Sequence, residues 1–83
     1  MGQYHDEPPG DHPQLEEFDR GPWVQYAQER LQIQGYEPQD HQIDGLFGPY
    51  TKEAVRDFQG HWGLPTTGVI DAETWQLLEG TEV

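Results

Sequence analysis

The chain has 83 residues, enough for one small domain, and sets 16 Asp and Glu against 4 Lys and Arg, a formal net charge of −12. That balance excludes nucleic acid as a partner, which needs clustered Lys and Arg, and disfavours an anionic membrane surface. No cysteine is present, which removes disulfides, a Cys-ligated zinc site and a thiol nucleophile, and no apolar run approaches the ~20 residues of a membrane span.

Residues 1–20 hold four hydrophobics, three prolines and a net charge of −5. So little apolar surface does not offset the entropy of ordering, and the composition predicts a disordered acidic arm. Its start, Met1-Gly2-Gln3-Tyr4-His5-Asp6, has neither the basic nor the apolar region of a secretory leader, so no signal peptide is expected in this chain.

Gly21-Pro22 opens the first periodic segment, because proline at the first helical position gives up only an N–H that has no partner there. Val24, Ala27 and Leu31 form one apolar stripe, with Gln25, Gln28, Glu29, Arg30 and Gln32 on the other faces. Gly35 supplies a C-terminal cap and Pro38 blocks continuation, which predicts a helix over 22–34. Residues 37–48 read as loop, with Asp44-Gly45 a turn signal. Gly48-Pro49 starts a second helix over 49–62, with Ala54, Val55, Phe58 and Trp62 at helical spacing; Gly63 and Pro65 end it. Asp71 is an N-cap for a third helix, whose stripe is Trp75 and Leu78 and which Gly80 ends.

The expected fold is therefore all-α, a compact three-helix bundle over residues 21–80, with 81–83 as a tail. Its core should hold Val24, Leu31, Phe47, Val55, Phe58, Leu64, Ile70, Trp75 and Leu78. Gly45-x-Phe47-Gly48-x-x-Thr51 aligns with Gly68-x-Ile70-Asp71-x-x-Thr74 at an offset of 23, an internal two-fold pseudo-repeat. Each copy places a bulky apolar residue between a turn and a helix start.

Catalysis is not expected. Serine is absent as well as cysteine, and Glu53 and Asp57 share a helix face with no cleft between them. No metal or cofactor is expected either. His5, His12, His41 and His61 are scattered. Asp40-x-Gln42-x-Asp44-Gly45 resembles the start of a calcium loop, but Thr51 stands where the bidentate Glu belongs.

Three runs together resemble a known family. They are Val24, Leu31 and Gly35-Tyr36; then Asp44-Gly45-x-Phe47-Gly48-Pro49-x-Thr51-x-x-Ala54-Val55-x-x-Phe58-Gln59; then Gly63-Leu64-Pro65, Thr67-Gly68-Val69-Ile70-Asp71 and Thr74-Trp75. The chain is similar, over residues 22–79, to the small three-helix peptidoglycan-binding domain attached to many bacterial cell-wall hydrolases. The resemblance implies a non-catalytic, monomeric module that binds peptidoglycan glycan and stem peptide and targets a tethered hydrolase. It implies a cell-wall, periplasmic or extracellular location when carried by a longer exported protein. The competing expectation is a protein–protein interaction or inhibitory pro-segment module that keeps the fold without the glycan.

For such a ligand, the expected contacts are aromatic faces for sugars and helix N-terminal N–H groups or an Arg for stem carboxylates. They centre on the Asp44–Thr51 loop: Asp44, Gly45, Gly48, Tyr50 and Thr51, with Tyr36 and Trp62 as stacking platforms and Arg56 as a carboxylate partner. Gln28 and Gln59 are further amide donors. Asp44 is expected to hold its turn rather than to touch ligand.

Overall fold

The computed structural model describes residues 12–36 and 43–80, and three helices span them: α1 (Pro22–Ile33), α2 (Pro49–His61) and α3 (Ala72–Gly80). Both Gly-Pro pairs work as starts, with proline at the head of α1 and of α2. Both glycine stops form the same cap. The Tyr36 amide donates to the Leu31 carbonyl and Gly35 to Gln32; in α2, Leu64 donates to Gln59 and Gly63 to Gly60. These paired bonds close the last turns of α1 and α2 and require the left-handed φ of +90° at Gly35 and +76° at Gly63. Asp71 caps α3, its Oδ1 accepting from the Thr74 amide at 3.0 Å and the Thr74 hydroxyl at 2.8 Å.

α1 packs against both α2 and α3. The core joins Val24, Ala27 and Leu31 from α1, Ala54, Val55 and Phe58 from α2, and Trp75 and Leu78 from α3. Phe47 and Ile70 plug it from the turns ahead of α2 and α3. Leu64 departs from expectation: it follows the α2 cap at the margin and is only half-buried. Arg30, expected on an outer face, is buried. Its Nε and Nη2 donate to the Leu78 carbonyl at 3.2 and 2.9 Å, placing a cation at the α3 C-terminus where the helix dipole favours one.

The largest correction concerns residues 12–20, which are built onto the bundle instead of forming part of a floppy arm. Leu15 is buried and exchanges two backbone hydrogen bonds with Ile70, at 3.0 and 2.8 Å. Arg20 bridges Leu46 in the same antiparallel sense. The Trp75 indole donates to the Pro13 carbonyl at 2.8 Å, and His12 lies 4.7 Å from the Trp23 ring and 4.8 Å from the Trp75 ring. The rest of the proposed arm, residues 1–11, lies outside the described residues, as do the 81–83 tail and the Asp40 and Gln42 pair.

Candidate functional site

The Asp44–Thr51 turn is held from behind by α1. Gln28 sits fully buried on the Val24–Leu31 stripe. Its amide nitrogen donates to the Leu46 carbonyl (2.8 Å), the Thr51 hydroxyl (3.0 Å) and, at greater length, Asp44 Oδ1 (3.3 Å), while its oxygen accepts from the Gly45 amide (2.9 Å). The same set recurs one turn later. Gln59 of α2 donates to the Val69 carbonyl, the Thr74 hydroxyl and the Thr67 hydroxyl at 2.9, 3.1 and 3.4 Å, and accepts from Gly68 at 3.0 Å. Neither glutamine is a surface donor for ligand. Each spends its amide on backbone groups that would otherwise lie buried without partners.

This arrangement divides the eight expected contact residues. Thr51 and Gly45 face inward, Thr51 with its hydroxyl bonded to Gln28. Gly45 is present for its φ of +77°, not to let a ligand approach: a Cβ there would sit 3.4 Å from the Gly21 carbonyl oxygen. Gly45→Ala should cost about 1–2 kcal/mol in urea denaturation, the penalty of a left-handed L-residue. Asp44 holds the turn, accepting from the Leu46 amide at 2.9 Å.

Gly48 and Tyr50 face outward. Gly48 is the N-cap of α2, no side chain caps that end, and the position where its Cβ would stand is open space. Tyr50 is 66% exposed on the first turn. Arg56 lies six residues on, about 9 Å along the axis and some 120° around it. It therefore looks away from Tyr50, into a cleft of about 330 Å³ lined with Glu53, Asp57, Gly60 and Thr66. Tyr36 and Trp62 lie at the far end of α2, in one aromatic cluster. Tyr36 is 5.3 Å from Phe58 and 6.1 Å from His61, and Trp62 is 5.7 Å from His61. Trp62 stands about 18 Å along the helix from Tyr50, so no single sugar ring touches both.

At this turn, two outward residues escaped the sequence reading. Leu46 is 49% exposed beside Tyr50 on the outside of the turn, and Phe18 is 84% exposed where residues 18–21 cross it. The signal for Leu46 was its adjacency to Phe47: of two neighbouring apolar residues in an extended turn, one faces out.

Among the described residues, no helix is long and apolar enough to cross a membrane, and no three His, Asp or Glu side chains gather as metal ligands do. The sequence matches the peptidoglycan binding domain family over residues 20–78. The chain belongs to that family. This peptidoglycan binding domain is 34% identical to the SleB N-terminal domain, with a TM-score of 0.77 over 82% of this chain and 90% of that one. It is 32% identical to the endolysin of Burkholderia phage AP3 (TM-score 0.76, 86% of this chain, 26% of that one). It is also 32% identical to a fused Zn-dependent amidase/peptidase and peptidoglycan-binding protein of Clostridium acetobutylicum (TM-score 0.77, 88% of this chain, 32% of that one). The domain thus spans about a quarter to a third of the length of these two larger proteins. None of the curated proteins compared with it matches.

Proposed function

We propose that the chain is a non-catalytic module that binds peptidoglycan through the outer face of the Leu46–Tyr50 turn and holds a wall-acting hydrolase at its substrate. The observation that carries the reading is the open α2 N-terminus. Its helical N–H groups have no side-chain cap, Gly48 leaves room in front of them, and an exposed tyrosine stands beside them. A helix N-terminus suits the carboxylates of stem peptides, and an aromatic ring suits the apolar face of a sugar. Tethering raises the local concentration of an attached enzyme at the wall and needs no chemistry from the module. The place of action is the cell wall or an equivalent extracellular space.

Sedimentation with purified sacculi is the direct test. The chain should pellet with them and release no muropeptides; turnover that survives repurification would overturn the non-enzymatic reading. Tyr50→Ala should weaken binding about fivefold, the equivalent of ~1 kcal/mol, while leaving stability within about 0.5 kcal/mol. Chemical-shift mapping with soluble muropeptides should centre on residues 46–52. Perturbations gathered on α3 instead would move the site.

A further inference from the structure

Three of the four Lys and Arg side chains have a partner inside the molecule. Arg30 is buried on the Leu78 carbonyl, Lys52 meets Glu17 at 3.4 Å, and Arg56 meets Glu53 at 4.0 Å. Arg20 is exposed and, among the described residues, its guanidinium has neither an ion pair nor a hydrogen bond. In a chain with 16 Asp and Glu, that is not for want of acids. The two acids next to it along the crossing are engaged by their own backbone: Asp19 Oδ2 accepts from the Glu16 amide and Asp44 Oδ1 from the Leu46 amide, both at 2.9 Å.

The backbone fixes where Arg20 stands. Gly21 donates to the Gly45 carbonyl at 3.0 Å, and Phe47 donates to the Asp19 carbonyl at 2.9 Å. These two bonds straddle Arg20 and Leu46 and make them a non-hydrogen-bonded antiparallel pair, the kind whose side chains approach most closely, on one face of the two segments. The neighbouring position, Phe47, alternates to the other face and enters the core. The face shared by Arg20 and Leu46 is therefore the outer one, and both residues are exposed on it. Leu46 lies two residues ahead of Gly48, the uncapped start of α2. Arg56, expected from the sequence to meet a stem carboxylate, points instead into the cleft with Glu53 and Asp57.

We propose that Arg20 is the cation of the Leu46–Tyr50 face and binds a stem-peptide carboxylate beside Leu46. The fork of guanidinium N–H donors matches both oxygens of a carboxylate, and an arginine without an internal partner gives up no ion pair to make that contact. It also supplies local positive charge where the chain as a whole, at −12, repels an anionic ligand. This assignment rests on the peptidoglycan-binding reading above and names the side chain that gives that face its charge selectivity.

The test is sacculus sedimentation of the full chain, of Arg20→Gln and of Arg56→Gln, with a thermal melt to show that each is folded. Both variants change the net charge by the same amount, so their comparison separates position from bulk charge. Arg20→Gln should bind about fivefold more weakly at low salt, with the gap closing as salt is added. Arg56→Gln should bind as wild type does. A second arm uses sacculi whose stem carboxylates have been converted chemically to amides. There Arg20→Gln and wild type should bind alike. Wild-type binding by Arg20→Gln, equal weakening in the two variants, or an Arg20 effect that persists on amidated sacculi overturns the assignment and leaves the peptidoglycan reading standing. If the wild-type chain itself fails to sediment, that reading falls and the assignment with it.

Discussion

Gln28→Leu should destabilise the domain by about 3 kcal/mol although it keeps the side-chain volume and adds apolar surface. The reason is the partner set. Without the amide, the Gly45 N–H loses its acceptor, and the Leu46 carbonyl and Thr51 hydroxyl lose their donor, around a side chain that is itself fully buried. A buried polar group left unpaired costs about 1–3 kcal/mol, and several share this one partner. Gln28→Glu should fare no better, since a carboxylate accepts from Gly45 but donates nothing to Leu46 and brings a charge into the core. A domain of this size has total stability of order 5 kcal/mol, so the loss should be plain in urea or thermal unfolding. A Gln28→Leu protein as stable as wild type would show that packing alone holds the turn.

Trp75→Ala should cost about 3–5 kcal/mol and leave little folded protein at room temperature. Trp75 is the largest fully buried side chain, and around it sit Tyr26 at 5.8 Å and Trp23 at 5.7 Å, besides His12. Trp75→Phe separates packing from tethering. The ring remains, the bond to the Pro13 carbonyl goes, and the cost should be about 1–2 kcal/mol. In that variant the Leu15 and Ile70 amides, which bond each other's carbonyls, should exchange with solvent faster than the amides of α1 and α2. Unchanged protection at Leu15 would mean that the bridge to Ile70 holds the segment without the indole.

The helices were legible because their punctuation is local. Gly-Pro starts, glycine stops and an Asp71 cap each act within four residues, and the three elements fall within a residue or so of the expected bounds. Residues 12–20 were not legible because composition measures how much apolar surface a segment owns. It does not register one leucine placed well, or a carbonyl that an indole 62 residues away needs. Gln28 and Gln59 were misplaced for a related reason. Polar type suggested surface, while position suggested core: Gln28 is four residues after Val24 and three before Leu31, and Gln59 four after Val55. A polar residue on an apolar stripe, opposite a Gly-turn whose amides need partners, is the pattern to read. The geometry of the candidate site was half legible. The turn could be found from its glycines, but which side of it faces water depended on Gln28, and the separation of Tyr50 from Arg56 and Trp62 follows from helix angles along α2.

The glutamine behind the turn also bears on what an encounter with the wall requires. Flexible recognition loops lose conformational freedom when they close on a ligand, and that loss subtracts from affinity. Here the backbone from Asp44 to Thr51 is already fixed by Gln28 before any ligand arrives. On the proposed reading, the surface that meets the wall is preorganised, so little ordering entropy is forfeited on contact. The division of labour has a second effect. Residues that fix the loop point inward, while Leu46 and Tyr50 point outward and are replaceable without disturbing the frame. On the proposed reading, exchanging outer side chains such as Leu46 and Tyr50 alters the contact surface at almost no cost in stability.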